Sequence, residues 1–197
     1  MHKIFRLLAA TFLLNSANSA EIRKIQSDGE EIYRLGNNRL EVNVSPSNGG
    51  RIIRLFDKIS GRELTPKTSF SISPGGVGLL NDRVIPERGG TCRDYETSPY
   101  QTVSAKETDS RAVLTLKCDR MPLAVEKQIS LKENESKVFV SYSLTNPGNQ
   151  DFSGRFWSCS VISPDPKAPH EIYLPEGSYN DPQAPSRKNH ITHTRDP

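Results

Sequence analysis

From about residue 31 onward apolar and polar residues alternate with a period of two, and turn-forming residues interrupt the alternation roughly every ten residues. Leu40, Val42 and Val44 alternate with Glu41 and Asn43, which gives a strand one apolar and one wet face. Ser45-Pro46-Ser47-Asn48-Gly49-Gly50 breaks it with residues that preset or permit turn geometry, and Arg51 to Phe56 resumes it. Asp57 to Gly61 then reads as a hairpin loop before Arg62-Glu63-Leu64. Further strands are predicted at Tyr100 to Lys106, Ala112 to Cys118, Leu123 to Leu131, Ser136 to Thr145 and Phe152 to Ile162. No segment after the first twenty residues has helical periodicity. The pattern predicts an all-β, antiparallel β-sandwich.

Two stretches resist assignment. Ser69 to Leu80 holds two short apolar pieces around Pro74-Gly75-Gly76, where Gly75-Gly76-x-Gly78 reads as a β-turn. Asn81 to Pro99 is polar and rich in Gly and Pro, and is expected to be a long loop, which in a compact domain is commonly functional.

The two ends differ from the middle. Met1 to Ser19 carries Lys3 and Arg6, the apolar run Leu7 to Leu14, and small residues at Ala17-Asn18-Ser19, the layout of a secretory signal peptide. Its apolar run is far shorter than the roughly 20 residues that span a bilayer as a helix. After Ser163 come seven of the 14 prolines and three of the four histidines. Proline cannot donate to a sheet ladder, so the ending is expected to be edge, loop or tail, with Ile172 to Leu174 as one further short strand. The expected organisation is a leader over 1–19, a β-sandwich over 20–165, and a proline-rich tail or the start of a further segment over 166–197. The destination is then secreted or periplasmic, with no membrane span once the leader is removed.

Composition narrows the function. The 197 residues carry 26 basic and 23 acidic side chains, and without Lys3 and Arg6 almost no positive excess is left. Such a balance cannot neutralise a row of phosphates, so a nucleic-acid partner is not expected. Cys92, Cys118 and Cys159 have no metal-ligand spacing. On the export side their simplest arithmetic is one disulfide and one free thiol, while strand register also suits Cys118 and Cys159 as packed thiols. Walker, GxSxG, HExxH and EF-hand motifs are absent from the sequence, and no cofactor or metal is expected. His190-x-x-His193 lacks a helical context in which it would grip a metal.

Candidate chemistry gathers in the Asn81 to Pro99 segment, where Asp82, Arg83, Glu87, Arg88, Arg93, Asp94 and Glu96 lie beside Tyr95 and Tyr100. Carboxylates and guanidinium groups beside aromatic rings suit a sugar, whose hydroxyls pair with polar groups while its C–H faces stack on rings. The competing reading is a solvated loop with weak surface ion pairs. Trp157, the single tryptophan, sits on the last firm strand, where it is either core or ligand platform, core being the commoner use. If a sugar binds, Trp157 or Tyr95 is expected to stack and Asp82, Arg83 and Glu96 to contact hydroxyls.

Three segments, in their order, resemble the galactose mutarotase-like supersandwich domains of sugar-active proteins. Leu40 to Pro46, Gly49 to Lys58 and Gly61-Arg62-Glu63-Leu64 are similar to that family's opening of a strand, a glycine turn and a strand ending in DxxxGxEL. Val125 to Leu131 is similar to its EKxIxL strand, and Val138 to Thr145 with Asn146 to its VxYxLxN strand. The resemblance implies a sandwich of two large sheets and a carbohydrate ligand. It also implies, for an active epimerase, two histidines and a glutamate base that handle protons at the anomeric centre. Here no histidine lies between His2 and His170, and Arg155-Phe156-Trp157-Ser158-Cys159-Ser160 stands where one of them is expected. The expectation is therefore a carbohydrate-binding or carbohydrate-processing accessory domain with incomplete epimerase machinery. The alternative is a non-catalytic structural or protein-binding module of the cell envelope.

Overall fold

The computed structural model describes residues 19–66, 78–88, 90–92, 94–108, 110–162, 170–173 and 190–193. Two antiparallel sheets form the body of the chain. The first joins β1 (Glu21–Ser27), β2 (Glu30–Gly36), β3 (Leu40–Ser45), β4 (Arg51–Asp57) and β5 (Arg62–Glu63) in chain order. The second joins β7 (Gln101–Thr108), β8 (Arg111–Cys118), β9 (Ala124–Lys132) and β10 (Val138–Thr145), again each to its neighbour. Between them in sequence lies β6 (Asn81–Pro86), which pairs instead with β11 (Gly154–Cys159). The expected all-β sandwich is what the chain adopts.

Alternation explains why the sheets stack. In β8 the side chains of Ala112, Leu114 and Leu116 are fully buried, and in β9 so are those of Val125, Ile129 and Leu131. Leu35, Val42, Val44 and Ile52 of the first sheet belong to the same core cluster. Each such aliphatic side chain contributes about 1.5–3 kcal/mol on burial, and a single row on each sheet supplies several of them. Asn37 ties the sheets at one end, its amide donating to the carbonyls of Lys132 (2.6 Å) and Glu135 (2.9 Å).

Three expectations are corrected. Alternation begins at Glu21 rather than near residue 31, because Asp28 and Gly29, both with positive φ, turn β1 back onto β2. The segment beginning at Asn81 is not wholly a loop: its first six residues are β6, and a single 3₁₀ turn follows at Asp94–Glu96. The three cysteines are free thiols rather than one disulfide and one thiol; Cys118 is buried, as its strand register suggested, and Cys92 and Cys159 are half-buried.

In the proline-rich ending, β12 (His170–Tyr173) and β13 (His190–His193) pair antiparallel, so Ile172 lies in a strand as expected. The leader through residue 18, the apolar pieces over 69–77, Arg93 and the rest of the ending lie outside the described residues.

Candidate functional site

The β6–β11 ribbon carries the candidate residues, and strand alternation distributes them between its two faces. Asp82 lies opposite Ser158 and Val84 opposite Phe156, while Arg83 lies opposite Trp157. Asp82 and Arg83 therefore leave the backbone in opposite directions. The sequence suggested one open cluster; the ribbon makes two environments.

On the Asp82 face the ribbon meets the second sheet. The Asp82 Oδ2 atom is 2.5 Å from Lys127 Nζ on β9, and neither side chain has exposed surface. Tyr142 on β10 donates its hydroxyl to Asp82 Oδ1 at 2.9 Å and stands 3.0 Å from Ser158 Oγ. Tyr100 donates to Asp82 Oδ2 at 3.2 Å. Lys127 also donates to the Gly49 carbonyl at 3.1 Å and lies 4.6 Å from the centre of the Tyr100 ring. Burial lowers the pKa of Lys127, against the pull of Asp82 in the other direction. The phenols of Tyr100 and Tyr142 are pushed well above their ordinary range by burial first and by the Asp82 charge second. Both therefore serve as protonated donors, which suits their bonds to the carboxylate.

On the opposite face Arg83 forms a buried ion pair with Glu96, through Arg83 Nε and Glu96 Oε1. The Arg83 guanidinium carbon lies 4.9 Å from the centre of the Trp157 ring. Arg51, fully buried, holds the same 3₁₀ turn by donating to the Glu96 carbonyl, and it donates to the Asn48 carbonyl at 3.0 Å. Glu96 Oε2 and Asn81 Oδ1 are buried without a hydrogen-bond partner. Close backbone approach is possible here because Gly49, at φ +69°, has no Cβ to strike the Glu96 carbonyl.

Of the five sequence-predicted site residues, Trp157 alone is exposed, at 46%, so it is not the core residue that a lone strand tryptophan commonly is. Asp82, Tyr95 and Glu96 have no exposed surface and Arg83 has 6%, which replaces the picture of a solvated loop. Tyr95 is held away from the ribbon surface: its hydroxyl donates to the Leu123 carbonyl at 2.7 Å and accepts from the Leu123 amide at 3.1 Å. Lys127 and Tyr142 were not among the candidate residues, and Tyr100 was named beside the cluster without a role. A signal for Lys127 existed, because it occupies the core row Val125, Lys127, Ile129, Leu131 that alternation defines. Among the described residues no group of three or more His, Cys, Asp or Glu could hold a metal ion, and no helix is long and apolar enough to cross a membrane.

No family model matches the chain, and neither does any curated protein. Solved structures do. A TPR-domain containing protein from Parabacteroides distasonis superposes with a TM-score of 0.57 at 17% identity, over 74% of this chain and 26% of that one. A galactose mutarotase-like protein from Clostridium acetobutylicum gives 0.49 at 14% identity, over 65% of this chain and 49% of that one. A 4-alpha-glucanotransferase from Thermococcus litoralis gives 0.44 at 12% identity, over 66% and 25%. This chain thus spans half or less of each of these proteins. The likeness is one of fold.

Proposed function

We propose that the protein is an exported, non-catalytic carbohydrate-binding domain whose ligand stacks on Trp157. The observation that carries this reading is an exposed indole set against a guanidinium that a buried carboxylate holds in place. An aromatic ring that is exposed yet oriented is suited to the C–H face of a sugar, and a pre-oriented group loses little entropy when the ligand arrives. In this reading Arg83 and Glu96 set the angle of the platform from beneath. Asp82 acts one strand-face away, fixing the Tyr142 hydroxyl that in turn meets Ser158. The strand motifs that resemble mutarotase-like domains support the ligand class, and the lysine-arginine leader supports export. The missing histidines support binding rather than epimerisation.

Because Trp157 is the single tryptophan, its fluorescence reports on one site. Titration with a panel of neutral and acidic oligosaccharides is expected to change the emission and to release calorimetric heat that Trp157→Ala abolishes. Silence across the whole panel would overturn the reading. The second reading, a protein-binding module of the cell envelope, is favoured by Leu144 on β10, 43% exposed at the end of a half-buried row. It expects no saccharide heat and no effect of Trp157→Ala on ligand binding.

A further inference from the structure

We propose that the outer edge of β10 is an interface, and that its occupant is the β10 strand of a second copy of this chain. A sheet edge presents unpaired amides and carbonyls to any passing strand, and monomeric proteins blunt such edges with charge, shortness or bulges. The two main sheets have four edges, and three are blunted in these ways. β1 carries Glu21, Arg23 and Lys24, and its Ile22 amide is already taken by the Glu107 carboxylate of β7. β5 is two residues long, and both, Arg62 and Glu63, are charged. β7 carries Lys106 and Glu107 and is bent by a register shift between Thr102 and Ser104.

β10 has none of these protections. Its eight residues, Val-Phe-Val-Ser-Tyr-Ser-Leu-Thr, include no charge, no proline and no glycine. Its pairing with β9 runs without a shift from Val138↔Leu131 to Thr145↔Ala124, so the strand is regular along its whole length. Among the described residues no strand pairs with its other side.

The chemistry of the strand suits a copy of itself. Val138, Val140, Tyr142 and Leu144 lie opposite the buried row Leu131, Ile129, Lys127 and Val125, and so extend the core-facing side of the sheet. That row is only partly covered, and it opens to 43% exposure at Leu144. An antiparallel pairing of two β10 strands about a two-fold axis perpendicular to the sheet sets this row beside its own copy and doubles the four-stranded sheet. Phe139, Ser141, Ser143 and Thr145 then share the outer side. Because the strand is uncharged, no centred register of this pairing brings like charges together, which for most edges is the main obstacle to self-association.

The test is the mass of the purified protein in solution, by light scattering across a concentration series, for the native chain and for Ser141→Lys combined with Ser143→Lys. Both serines are on the exposed side of the strand, and the lysines would face their own copies across the axis. The native chain is expected to have twice the mass of one chain at high concentration and the double variant the mass of one chain, with the same circular dichroism. Thr102→Lys, on the β7 edge, is expected to keep the doubled mass. A single-chain mass for the native protein at every concentration overturns the proposal, as does a doubled mass that survives the double variant. Should the double variant fail to fold, hydrogen exchange of the native chain decides: slowing of β10 amides with concentration supports the interface, and concentration-independent exchange there overturns it.

Discussion

Lys127 Nζ lies 2.5 Å from Asp82 Oδ2 in the core of the sandwich, with neither side chain exposed. An ion pair taken wholly out of water gains little net stability over a packed apolar pair, but removing one member leaves a buried charge without its partner. Asp82→Asn and Lys127→Met are each expected to destabilise the fold by about 3–5 kcal/mol. Replacing both together should cost less than the two single effects combined. Urea denaturation of the three variants measures the coupling, and strictly additive losses would show that the pair does not act as a unit.

Gly49 lies under the 3₁₀ turn that presents Glu96. A Cβ at this position would strike the Glu96 carbonyl, and φ +69° disfavours any other residue. Gly49→Ala is expected to cost about 2 kcal/mol or more from the left-handed backbone and the displaced turn. Displacing the turn moves the Arg83–Glu96 pair, so a change in Trp157 emission should accompany the loss of stability.

Glu96→Gln tests the platform more gently. It keeps the shape of the side chain but removes the charge that holds Arg83. The Trp157 emission spectrum is expected to shift and saccharide affinity to fall, while the far-ultraviolet circular dichroism stays that of an all-β protein. An unchanged spectrum would mean that Arg83 does not orient the indole.

Alkaline pH should weaken the fold. Burial pushes the phenols of Tyr95, Tyr100 and Tyr142 and the thiol of Cys118 upward, so the folded chain keeps protons that the unfolded chain releases above about pH 9.0 for the thiol and 10.0 for the phenols. Their contribution is complete below those values and is lost as pH rises above them. Lys127 works in the opposite sense, since its lowered pKa makes stability rise with pH up to its ordinary value of 10.5. Arg51, whose pKa burial also lowers, works in the same sense as Lys127. Above the ordinary lysine value of 10.5 the rise from Lys127 is complete while the phenols and the thiol continue to lose theirs. Urea midpoints should therefore fall on the limb above about pH 10.5, and Tyr142→Phe should make that fall shallower.

The thiols should separate by accessibility at neutral pH. Cys118 is buried and its pKa is raised by that burial, whereas Cys92 and Cys159 are half-buried. An aromatic disulfide reagent is expected to modify Cys92 and Cys159 first, and Cys118 only on unfolding.

Much of the architecture was legible from local pattern. Alternation placed β3, β4 and β7 to β11, because a strand's two faces are set by a period that no distant residue can change. The pair β1–β2 was legible in principle through Asp28-Gly29, a strong hairpin signal. β6 was not, because the polar run Asn81-Asp82-Arg83 has the composition of a loop, and it is a strand only because β11 supplies its partner. The same long-range pairing rearranged the candidate site, burying Asp82 and Glu96, which were expected to reach ligand hydroxyls, and leaving Trp157 exposed, the platform rather than the core of the two uses left open for it.

The sequence by itself determined that the chain is all-β, which side chains share a face, and where the turns fall. Those are properties of neighbouring residues and of backbone sterics. Only the tertiary structure decided that Lys127 in an apolar row would meet Asp82, that Glu96 would lock Arg83 under Trp157, and that β10 would be the unblunted edge. Each depends on which strands pair across long stretches of chain. There the cost of burying a charge or leaving an edge bare is set by a partner that alternation cannot name.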